Sequence, residues 1–165
     1  MNTKLNNLLK EFVSSTIPEK RFFGEFMLWF NFKEMSSCPT VGVMSKNGTI
    51  TCVYNNDFVE KLKNESLAFV MLHECEHVLR SHISRTITGG FKHKKSNIAQ
   101  DMIINSIIKE SYDNLKWIKP PTKDEIVPYY IPKDYDGIKA FEPLYDFLED
   151  QYSNGDGSGD RKSVV

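Results

Sequence analysis

Apolar positions along the chain fall into stretches of different period. Leu5, Leu8, Leu9 and Phe12 recur at helical spacing and predict a short helix over residues 3–13. Pro18 favours a first helical turn and predicts a second helix over 19–33. Its Phe22, Phe23, Phe26, Met27, Trp29 and Phe30 predict burial of most of its circumference. The period then shortens. Thr40-Val41-Gly42-Val43-Met44 and Thr49-Ile50-Thr51-Cys52-Val53-Tyr54 are β-branched and aromatic runs. Asn47-Gly48 between them predicts a tight hairpin turn, because both turn positions need positive φ. A long apolar helix is expected from Asn64 or Ser66 to Arg85, ended by Gly89-Gly90. Phe91–Ser96 is a basic loop, and a further helix is expected over 97–111. Residues 119–138 hold four prolines and three tyrosines and predict an ordered, irregular segment. Residues 139–150 return to helix, with Phe141, Leu144, Tyr145 and Leu148 on one stripe.

Length and composition narrow the class. The 165 residues suit one domain, expected over 1–150, followed by a flexible Gly/Ser/Asp-rich tail over 151–165. With 40% apolar residues and 12% aromatics the chain is neither disordered nor a rod. A net charge of -1 gives no basic field for nucleic acid. The charge is uneven: Lys92, Lys94 and Lys95 form a basic knot, while residues 134–160 hold eight acidic residues against Lys139. Three cysteines without a CxxC fit a reducing compartment. With no apolar leader at Met1–Asn7 and no long apolar run, a cytoplasmic protein without membrane contact is expected. In the tail, Asn154, Asp156, Ser158 and Gly159 imitate the first half of a calcium loop. The twelfth position is Val165 where such a loop needs Glu, so calcium is not expected there.

The chemistry sits in the long helix. His73-Glu74-Cys75-Glu76-His77 is an HExxH. Residues four apart on a helix lie about 40° apart around it, so both imidazoles point to one side. They form two-thirds of a zinc ligand set, and Glu74 can take a proton from a metal-activated water without binding the metal. Two residues offer a third ligand. His82 lies roughly 140° off the face of His77 on a continuous helix. It binds only if the helix breaks after His77, and Val78-Leu79-Arg80-Ser81 contains no Gly or Pro to break it. Asp101 lies on the next helix, in a polar stripe of Asn97, Asp101 and Asn105 amid Ile, Met and Ala. A carboxylate there is costly to bury unless paired or bound to metal, and Asn105 is placed to orient a ligand histidine. Cys75 points away into packing, and Glu76 is read as a supporting or surface carboxylate.

The residues Leu72–Arg85 and Asn97–Asn105 resemble a known family. It is the predicted zincin-like metallopeptidase domain of bacteria and phages that is often joined to a von Willebrand factor A-like domain. That pattern is an HExxH with His and Arg five and eight residues after its last histidine, then N-x-A-x-D-x-x-I-N. Here these are His82 and Arg85, then Asn97 to Asn105. Pro39-Thr40-Val41, Tyr54–Val59, Tyr135-Asp136-Gly137 and Leu144–Leu148 also match its style, so the resemblance covers about residues 20–150. The second domain is expected to be absent from these 165 residues.

The resemblance implies an α+β zincin-like fold, with the hairpin packed on the HExxH helix and a second ligand-bearing helix. It also implies a gluzincin-like zinc peptidase site, whose third ligand comes from a later helix. The assignment is therefore Zn2+ on His73, His77 and Asp101, with Glu74 as general base and then acid. Tyr135, then Tyr130, Tyr129 or His93, are candidates for stabilising the oxyanion. An extended peptide is expected along the hairpin, on strand 40–44 or 49–54. The expected partners are a peptide or protein substrate and, through the tail, a partner protein; the chain is expected to be a monomer. Two rivals stand beside this. A non-catalytic zinc-binding interaction module would show a fourth protein ligand. A zinc hydrolase of non-peptide amides would show a small closed pocket.

Overall fold

Asn2 opens α1 (Thr3–Val13) by accepting the Leu5 N–H on its side chain, as an N-cap residue does. Pro18 opens α2 (Pro18–Met27), which packs on α1. Gly24 permits that close crossing, since a Cβ there would lie 2.6 Å from the Val13 nitrogen. The expected continuation of α2 to residue 33 is not found. The chain turns at Leu28-Trp29 and forms β1 (Phe30–Glu34). Phe22 and Trp29 are exposed, the latter at 79%, so the burial expected around this helix is also incomplete. A helical run of aromatics gives way here to pairing with a strand distant in sequence, which no local pattern reveals.

The hairpin forms as expected, from β2 (Val41–Lys46) and β3 (Thr49–Tyr54). Asn47 and Gly48 take φ of 51° and 76°. The sheet order is β1-β3-β2, with β1 parallel and β2 antiparallel to β3. β3 is therefore paired on both sides, and β2 is an edge. A short helix α3 (Asn56–Lys61), absent from the expectations, starts where the Asn55 side chain accepts the Phe58 N–H.

Helix α4 (Asn64–Leu79) is buried without interruption from Ser66 to Cys75. A helix buried on every side belongs at the centre of a fold, and α1, α2 and β2 all touch it. Its first turn has no side-chain cap of its own. Glu125 supplies one from far along the chain, accepting from the Lys63 N–H and the Ser66 hydroxyl as well as from Thr122. Burial works against the charged form of Glu125, but these donors outweigh it and lower the carboxyl pKa from 4.5 to about 2. The contribution is thus full above about 4.5 and fades as pH falls toward about 2. Glu125→Gln should cost on the order of 0.5–2 kcal/mol near neutrality, as the loss of an N-cap does. Thermal melts down a pH series should show the two proteins converging in acid.

The helix expected to run to Arg85 breaks after α4. Ser81 sits in the left-handed region at φ 54°, ψ 32°, and a separate helix α5 (His82–Thr88) starts there. The break needs neither glycine nor proline because the turn buries His82 and Thr86 against the next helix. That helix, α6 (His93–Tyr112), begins four residues earlier than expected. Gln100 on α6 donates to the Thr86 hydroxyl at 2.8 Å, the Ser96 hydroxyl at 3.1 Å and the His82 carbonyl at 3.4 Å, tying α5 to α6. Helix α7 (Phe141–Asn154) closes the far side of α6 with Phe141, Leu144, Tyr145 and Leu148. Arg85 of α5 pairs with its Glu142, and Lys92 and Lys95 pair with Glu149.

The computed structural model describes residues 1–112 and 114–154. Helix α7 therefore carries four residues into the segment expected as tail, and 155–165 lie outside the described residues. The architecture is mixed α+β. Among the described residues no helix is long and apolar enough to cross a membrane.

Candidate metal centre

One turn of α4 and the middle of α6 bring three donors together. The Nε2 atoms of His73 and His77 lie 3.0 Å apart. Asp101 Oδ1 lies 3.4 Å from the first and 3.1 Å from the second. All three side chains are buried, His73 and Asp101 at 0% exposure. Ligands at about 2.0–2.1 Å around a tetrahedral zinc stand roughly 3.3 Å from one another, so this triangle has the dimensions of one face of such a site. A buried carboxylate facing two imidazoles carries the charge and donor types that a divalent cation takes.

Each ligand candidate is held from behind. His73 Nδ1 donates to Asn105 Oδ1 at 2.8 Å, since an amide oxygen only accepts. Asn105 in turn donates its Nδ2 to the Tyr129 carbonyl at 2.9 Å, which fixes the amide the right way round. The Nε2 lone pair of His73 is thereby left facing the triangle. Asn97 donates to the second oxygen of Asp101 at 3.2 Å. The polar stripe read from sequence is thus used throughout.

Burial disfavours a charge on His73, yet the hydrogen bond and charge of Asp101 outweigh it and raise its pKa. Burial lowers that of His77. Glu74, 3% exposed, is pushed up to about 7, chiefly by burial. The nearby Asp101 charge adds to this, while His73 and the Val43 N–H, which the carboxylate accepts, oppose it.

His82 was the rival third ligand. The break at Ser81 brings it close, at 1% exposure, but to the other side of His77. Its Nδ1 lies 3.2 Å from His77 Nδ1, the nitrogen facing away from the triangle. Burial lowers its pKa to about 3, helped by His77, Arg85 and Arg80. Nothing local in the sequence signals this placement, because Val78-Leu79-Arg80-Ser81 holds no Gly or Pro and the left-handed residue is a serine.

Glu74 and His77 open on a cleft of about 250 Å³. One wall is β2 from Val41 to Ser45; the other includes Ile83, Thr86 and His93. The hairpin strand at the site is therefore the edge strand β2, not β3. Of the four oxyanion candidates, His93 lines this cleft and the tyrosines do not. Tyr135 donates to the Ile138 carbonyl and packs on Phe147. Tyr130 lies under Lys109, and Tyr129 meets the site through its backbone. Cys75 is buried in the core, and Glu76 pairs with Arg80.

Comparison with curated proteins and with solved structures finds no match. A family model described as "Putative metallopeptidase domain" matches residues 6–164. That span takes in both α4 and α6 and nearly all of the chain, which belongs to this metallopeptidase-domain family.

Proposed function

We propose that the chain is a zincin-like zinc peptidase, with the ion held by His73, His77 and Asp101 and the proton traffic carried by Glu74. The supporting observation is the triangle of two Nε2 atoms and one carboxylate oxygen beside a buried glutamate at an edge strand. Two imidazoles and a carboxylate suit zinc, a borderline ion that accepts nitrogen and oxygen donors. When bound, the ion would supply Lewis acidity to a water and to a substrate carbonyl.

The chain's own groups account for the rest. Glu74 takes the proton of the attacking water and hands it to the leaving amine. Burial favours its protonated form, so the carboxylate is a stronger base than one in water. The outer edge of β2 receives the substrate backbone as an added strand, which aligns the scissile bond along the cleft. His93, on the opposite wall, donates to the developing oxyanion. The cluster has three protein donors among the described residues, which favours an enzyme site over a four-ligand structural brace.

The test is metal loading followed by a peptide assay. The full chain should take up one equivalent of zinc and cleave members of a fluorogenic peptide library, and a chelator should stop the cleavage. Stoichiometric zinc without hydrolysis of any peptide would favour the brace.

A further inference from the structure

We propose that His82 is a positioning residue that holds His77 in the tautomer and orientation a metal ligand needs. This rests on the reading that His73, His77 and Asp101 bind the ion. To ligate through Nε2, His77 must carry its proton on Nδ1, and that proton needs an acceptor. The atom facing it is His82 Nδ1 at 3.2 Å, with the two rings edge to face at 77°. His82 therefore accepts on Nδ1 and keeps its own proton on Nε2.

The backbone is arranged to make this contact. Ser81 holds a left-handed φ of 54° although it is not glycine, a conformation that an L-residue adopts only against a steric cost. On an unbroken helix His82 would point roughly 140° away from His77. After the break its ring is enclosed, its carbonyl accepts from Gln100, and Phe141 lies 6.1 Å away between ring centroids. Arg85, one turn on, pairs with Glu142 and packs over Phe141, fixing α5 to α7. The two ligand histidines are thus backed by neutral acceptors, the amide of Asn105 and the imidazole of His82. Neither imidazole is pushed toward imidazolate, which leaves a bound ion more electron-poor than a carboxylate partner would.

The experiment compares zinc affinity of the full chain with that of His82→Leu and His82→Asn, by competition with a chromophoric chelator. Leu fills the space without an acceptor, while the Asn Oδ1 stands where Nδ1 stood. We expect His82→Leu to weaken zinc roughly 10–100-fold and His82→Asn to stay within about threefold of wild type. Equal losses in both variants, or no loss in either, overturn the proposal. Melting curves in chelator report whether each variant folds. Should His82→Leu not fold, ¹H–¹⁵N spectra of the zinc-loaded wild-type rings decide: a proton on Nε2 of His82 is expected, and one on Nδ1 overturns the assignment. Wild-type chain that takes no zinc sinks the metal reading itself, whereas insensitive variants of a zinc-binding chain sink only the role of His82.

Discussion

Glu74→Gln keeps zinc at full stoichiometry and loses peptide hydrolysis by roughly 10²–10⁴-fold, the range that positioned acid–base groups supply. The substitution changes little else. Glutamine has the same length and its Oε1 still accepts the Val43 N–H, so α4 stays tied to β2. Glu74 is not one of the three clustered donors, so metal uptake has no reason to fall. What disappears is a carboxylate that can hold a proton between attack and departure of the amine. Metal content and kcat/KM measured on the same preparation test this together. Turnover within tenfold of wild type would remove Glu74 from proton transfer. A second signature follows from burial. A carboxyl whose folded pKa is raised from 4.5 to about 7 loses stability as pH climbs from about 4.5, and the loss is complete above about 7. Metal-free Glu74→Gln should therefore melt above metal-free wild type at mildly alkaline pH.

The parts of this site that were legible in sequence are those set by local spacing. The HExxH pair, the Asn97-Asp101-Asn105 stripe and the Asn47-Gly48 turn each depend on residues a few positions apart, where helix or hairpin geometry converts sequence directly into direction. The polar stripe carried more than one signal. A carboxylate and two amides on an apolar helix have to be paired in the interior, and all three serve the triangle. The features that stayed hidden come from distant partners. β1 forms because Phe30–Glu34 finds the free edge of β3, against its own helical spacing. Ser81 turns left-handed where α5 seats His82 and Thr86 against α6 and pairs Arg85 with Glu142 of α7, partners that lie far along the chain. Glu125 caps a helix some sixty positions earlier in the chain, with a separation of 62 to Lys63. The choice of β2 over β3 as the site's strand likewise depended on sheet order, which a hairpin does not specify.

Asp101 separates a metal site from a structural ion pair, because its removal has opposite consequences with and without the ion. In the zinc-loaded chain Asp101→Ala deletes one of three ligands, and affinity should drop by more than the roughly 100-fold that loss of a supporting group costs. The stabilisation that zinc gives the native state, which grows as RT ln(1 + [Zn]/Kd), should vanish with it. In the metal-free chain the sign changes. There Asp101 is a carboxylate at 0% exposure whose ion-pair partners are two imidazoles, neither with an obligatory charge. Removing one member of a buried pair is costly chiefly when it strands a buried charge, and here both imidazoles can give up any extra proton and stay neutral once the carboxylate is gone. Asp101→Asn makes the cleaner comparison, since it keeps the volume and a hydrogen-bonding oxygen while removing the charge. Melting temperatures in chelator should be equal to or above those of wild type, and the upward shift that zinc gives wild type should be absent. A variant that melts lower by the same amount in both conditions would mean that Asp101 serves the fold through its imidazole contacts alone. The triangle of donors would then be a packing arrangement with no ion at its centre.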